Sequence, residues 1–116
     1  MDHTAKLTEE TVRRYTDYIT AGAYVLRSRH GFRIPALVIE QWRENGFAVL
    51  QTMTLARTYG VGRKTMWRTI QGAIDAGFIK EVGRTTEGRA MYQPVLERGD
   101  EWRVQHDRRM AAHEAD

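Results

Sequence analysis

From Thr8 onward, apolar residues recur every three or four positions: Val12, Tyr15, Ile19, Gly22 and Leu26. That spacing puts them on one stripe and predicts a helix over about 8–29. Thr8 suits its N-cap, and Glu9 and Glu10 fall in the first turn, where the helix dipole favours carboxylates. A glycine within the stripe predicts close approach to another helix, from this chain or a second copy. His30-Gly31 ends the segment. Pro35 reads as the first residue of a second helix, with Val38, Ile39 and Trp42 on its inner face and Asn45-Gly46 as its stop. Phe47 to Leu50 is a short apolar connection. Thr52 then caps a short third helix with Leu55 and Ala56 inward and Gly60 closing it. Gly62 caps a fourth, which carries Met66, Ile70, Ala73 and Ile74 along one side to Gly77.

After Gly77 the period changes from helical to alternating. FIKEV (78–82) and AMYQPV (90–95) read as strands, and GRTTEGR (83–89) as the glycine-bounded turn between them. Pro94 restricts its strand to an edge or a strand end. Asp100 is expected to cap a charged C-terminal helix running through Trp102, His106 and Met110. The pattern describes one mainly helical domain with a β-hairpin: N-terminal helices (1–50), a central unit (52–95) and a C-terminal helix (97–116).

Composition narrows the chemistry. Zero cysteines in 116 residues exclude disulfides, thiolate zinc sites and thiol catalysis. No apolar run approaches the roughly 20 residues that span a bilayer, and MDHTAKLTEE lacks the core of a signal peptide, so a cytoplasmic protein without a membrane partner is expected. Ser28 is the only serine, with no evident base. His3, His30, His106 and His113 lack metal-ligand spacing. No catalytic constellation, metal site or cofactor is expected.

The net charge of +3 is unevenly spread. Residues 1–56 hold seven Lys/Arg against six Asp/Glu, residues 57–92 seven against three, and residues 93–116 four against six. The positive excess lies in the segment containing YGVGRKTMW (59–67), an electrostatic footprint for a polyanion. A phosphate-cradling nucleotide loop would need glycines where Thr58 and Arg63 stand, so no nucleotide is expected. A helix–turn–helix uses every residue: Leu55 and Ala56 face inward, Gly60 makes the turn, Val61 plugs the gap, and Arg63, Lys64, Trp67, Arg68 and Gln71 face outward.

LARTYGVGRKTMWRTIQGAIDAGFIKEV resembles the winged helix-turn-helix of bacterial transcription regulators, particularly GntR-like ones. Leu55, Ala56, Gly60, Val61, Thr65, Ile70, Gly77, Phe78 and Ile79 stand at the pattern's positions, over residues 52–95. Gly62 replaces the usual serine cap and Met66 the usual valine. The resemblance implies a mainly α fold with a small hairpin wing, acting on double-stranded DNA as a homodimer; the large effector-binding domain such families usually attach is not expected in 116 residues. Its second helix would enter the major groove, with Arg63 and Lys64 at base edges and Thr65 and Arg68 on phosphates. Tyr59 would donate to a phosphate, and Arg84, Thr85, Thr86 and Arg89 would lie along flanking backbone. Trp67 either stacks on DNA or packs beneath the N-terminal helices. Operator repression is the leading expectation. A plasmid or phage replication or partition role, or a protein-interaction module, are the alternatives.

Overall fold

The computed structural model describes residues 6–115. Five helices and one hairpin follow in the order α1 (Glu9–Val25), α2 (Arg33–Asn45), α3 (Thr52–Tyr59), α4 (Arg63–Asp75), β1 (Ile79–Arg84), β2 (Ala90–Pro94) and α5 (Glu97–Ala115). The strands pair antiparallel, with Ile79 opposite Pro94 and Arg84 opposite Ala90. The register slips between Glu81 and Gly83, leaving Val82 as the extra residue of a β-bulge. The mainly helical architecture with a hairpin is as expected.

Local chemistry accounts for most boundaries. The Thr8 hydroxyl accepts from the Thr11 N–H at 3.1 Å, the expected cap. Gly46 and Gly60 close α2 and α3 in the left-handed region, at φ 84° and 66°. Four expectations shift. The first helix stops at Val25 rather than near 29, because the backbone turns out at Leu26, which enters the core. α2 begins at Arg33, so Pro35 is its third residue, still within the turn whose N–H groups have no intrahelical partner. Gln51, not Thr52, is the N-cap of α3. α5 begins at Glu97, and Asp100 caps nothing: its carboxylate accepts from the Arg14 guanidinium at 2.8 Å.

One core runs through the molecule. Tyr15, Tyr18 and Ala21 of α1 meet Ile34, Val38, Ile39 and Trp42 of α2, and continue to Ala56, Met66, Ile70 and Ala73, then Phe78, Ile79 and Leu96. Val12 stays exposed, one turn ahead of the first buried residue of the stripe. Gly22 does permit close approach: a Cβ there would lie 2.5 Å from Pro35 Cγ.

α1 and α5 pack against each other. A Cβ on Gly99 would lie 2.5 Å from the backbone nitrogen of Tyr18, so α5 rests directly on α1's main chain. Around that contact Arg103 donates to the buried Asp17 carboxylate at 2.7 Å, which raises the guanidinium pKa. Tyr24 stacks on Trp102. α1 and α5 therefore cover each other within one chain. The Tyr18 hydroxyl donates to the Phe78 carbonyl at 2.6 Å, and burial raises its pKa. α1 is thus fastened to the junction between α4 and the hairpin.

Phe47–Leu50 is more than a connection. Ala48 exchanges backbone hydrogen bonds with Tyr92 at 2.8 Å, extending the hairpin by one bridge. Beside it the Gln41 amide accepts from the Val49 N–H and donates to the Val49 carbonyl, standing in for a neighbouring strand. These bonds fix residues 48–51 next to β2. Among the described residues, no helix is long and apolar enough to cross a membrane.

Candidate nucleic-acid interface

The corner between α3 and α4 is three residues long: Gly60, Val61 and Gly62. Gly60 supplies the positive φ. Val61 packs against the core, and its N–H bonds back to the Ala56 carbonyl at 2.9 Å. Gly62 is extended (φ −70°, ψ 155°), the backbone shape of an N-cap, but it has no side chain to accept from the first turn of α4. A Cβ there meets nothing within 4 Å. Gly62→Ser is therefore expected to raise stability by a few tenths of a kcal/mol, read as a small rise in thermal midpoint.

α4 buries Met66, Thr69, Ile70 and Ala73. That leaves Arg63, Lys64, Thr65, Trp67 and Arg68 exposed and Gln71 half-buried. Trp67, 55% exposed, does not pack beneath the N-terminal helices. A groove of about 860 Å³ runs between the start of α4 and the hairpin, with Arg63, Lys64 and Trp67 on one wall and Arg89, Ala90 and Tyr92 on the other. Residues 49–53, held by the Gln41 clamp, close its end. Helix and hairpin thus bring three cations and an indole to one concavity.

Among the described residues, Arg63, Lys64, Arg68 and Arg89 have no carboxylate within ion-pair distance. Exposed cations of this kind are open to a polyanion, which displaces their counter-ions; Arg89 also feels the nearby Glu87 charge. The hairpin tip differs. Arg84 is already engaged, 3.6 Å from Glu81 and donating to the Gly88 carbonyl at 2.9 Å. The Thr85 hydroxyl accepts from the Arg89 N–H at 3.1 Å. Bonds from its own backbone and from the Thr85 and Thr86 hydroxyls hold the Glu87 carboxyl below its usual range. Thr85 and Thr86 thus serve the turn, and Glu87 brings a negative charge beside it.

Tyr59 ends α3 with both ring contacts taken. The His30 imidazole stacks on it, centroids 5.3 Å apart and 10° from parallel, and the Arg33 guanidinium lies 4.9 Å from the ring centre. Both His30 ring nitrogens are sealed from solvent and have no hydrogen-bond partner among the described residues. Desolvation, then the charges of Arg29 and Arg33, lower the His30 pKa. The unfolded chain then binds the proton more readily than the folded one as pH falls through about 6.5, so stability should drop below that value. His30→Phe, which keeps the stack, is expected to flatten the loss between pH 7.5 and 5.5 in thermal melts.

No protein-family model matches this chain, and neither a curated protein nor a solved structure is similar to it.

Proposed function

We propose that the chain is a winged helix-turn-helix protein that binds double-stranded DNA in a sequence-specific manner. On this reading α3, the Gly60–Gly62 corner and α4 are the helix–turn–helix, and β1–β2 is the wing. The groove carries the reading: Arg63, Lys64 and Trp67 from α4 and Arg89 from the hairpin converge there, and among the described residues none of the three cations has a carboxylate within ion-pair distance. A duplex with α4 in its major groove meets Arg63 and Lys64 at base edges. Arg68 and Arg89 lie against phosphates, and Met53 and Trp67 supply apolar surface. The chemistry required is binding alone, without catalysis or cofactor.

The proposed role is local repression by occupying an operator as a homodimer, on half-sites about 34 Å apart. Because α1 and α5 cover each other, the second copy falls to the outer part of α5, where Val104 and Met110 stay half-exposed. Selection from random duplexes at moderate salt, followed by footprinting on the selected site, tests the proposal. A two-fold-related site overlapping a promoter is the expected result. An array of repeats would assign the protein to a replication or partition assembly, and no enrichment would overturn DNA recognition.

A further inference from the structure

The charge distribution contains a feature that the central basic segment obscures. Between Asp17 and Glu40 there is no acidic residue, while Arg27, Arg29, His30 and Arg33 all fall in that interval. Between Glu44 and Asp75 there is again none, while Arg57, Arg63, Lys64 and Arg68 do. The fold joins these acid-free stretches at one residue. Tyr59, four positions before Arg63, carries His30 and the Arg33 guanidinium on its ring.

Arg33 is held in place rather than trailing in solvent. Its guanidinium sits 4.9 Å from the ring centres of both Phe32 and Tyr59. Stacking leaves the N–H edges of a guanidinium free to donate. Among the described residues neither Arg29 nor Arg33 has a carboxylate within ion-pair distance, and both are exposed. An arginine immobilised on rings and left without an anion loses little entropy on gripping a phosphate. Arg33 thus sets positive charge from the loop between α1 and α2 against Tyr59, the residue that precedes the Gly60 corner.

We infer that Arg33, held on the Tyr59 ring, and Arg29 of the same loop form a second backbone-binding site that takes DNA phosphates beyond the corner, away from the hairpin. The inference rests on the DNA-binding reading and extends it. The hairpin and this loop would hold phosphates to either side of α4. Such contacts set register and contribute to the salt dependence of affinity without reading sequence.

The test compares three full-length variants on one selected duplex: Arg29→Gln/Arg33→Gln, Arg29→Lys/Arg33→Lys, and Arg63→Ala/Lys64→Ala. Affinity is measured across a salt series, with a hydroxyl-radical footprint of each complex. The glutamine pair should make the log–log salt slope shallower by about 1.8. It should also remove footprint protection at one end and leave the preferred sequence unchanged. The lysine pair should keep the slope. An unchanged slope and footprint for the glutamine pair, with binding lost in Arg63→Ala/Lys64→Ala, would overturn the second site and leave the reading of α4 intact. Loss of slope in the lysine pair as well would overturn the phosphate role and make the arginines a packing element. If wild-type protein shows no salt-dependent duplex binding, the DNA reading fails and the second site fails with it.

Discussion

Alanine at both Arg63 and Lys64 is expected to cut affinity for the selected duplex by roughly 30-fold or more, with no loss of stability. Each good base-edge contact is worth about 1–3 kcal/mol of discrimination, and about 1.4 kcal/mol is a factor of ten. Both side chains are exposed on the first turn of α4, and among the described residues neither has a carboxylate in reach. Alanine is also the better helix former, so the thermal midpoint should hold or rise slightly. Fluorescence anisotropy and thermal melts on the same preparations separate the two effects. Undiminished DNA retention would instead favour the basic face as a docking surface for an acidic protein.

Gly99→Ala should do the opposite: destabilise the fold while leaving the DNA face chemically unchanged. The new methyl would lie 2.5 Å from Tyr18 N, 2.6 Å from Tyr18 Cα and 2.9 Å from the Asp17 carbonyl carbon. All three are main-chain atoms of a helix and have no rotamer to escape into. Relief must come from moving α5 off α1, which also pulls Arg103 from Asp17 and Trp102 from Tyr24. Overpacking of a rigid contact costs about 1–3 kcal/mol. Against a total near 5–15 kcal/mol, that should lower the thermal midpoint by at least about 4 °C. Gly62→Ser is the control, a glycine replaced where the Cβ meets nothing. A midpoint unchanged in Gly99→Ala would refute the direct backbone contact.

The sequence announces the centre of the molecule more clearly than its periphery. Leu55, Ala56, Gly60, Val61 and Met66 signal the corner because each sits where local geometry demands its residue type, and Gly22 signals a helix crossing because it interrupts an apolar stripe. Gly99 carries no such signal. It lies in the charged run ERGDEW, where a glycine reads as a break, and only the approach of α1 explains it. The Ala48–Tyr92 bridge and the Gln41 clamp join residues through tertiary contact, which periodicity along one segment does not register. Asp100 looks like a cap because aspartate often is one, but Arg14, far away in sequence, takes its carboxylate. The basic α1–α2 loop disappears when charge is summed over residues 1–56. Three of the cancelling carboxylates face elsewhere: Asp17 is buried against Arg103, and Glu9 and Glu10 sit at the far end of α1.

Stability and the proposed recognition surface occupy different parts of this chain. α1 and α5 contribute buried rings, ion pairs and a backbone contact, and through Tyr18 they brace the junction where α4 passes into β1. α4 and the hairpin leave their unneutralised cations outward. That division explains why the two substitutions above are expected to act on separate observables.

The most direct test of the proposed DNA-binding groove is an anisotropy titration of wild-type protein against a labelled duplex from low to moderate salt. Neutralising about five phosphates gives a log–log slope near −4.5, and that steep fall is the expected result. Weak association at every salt concentration, or a slope close to zero, would contradict it.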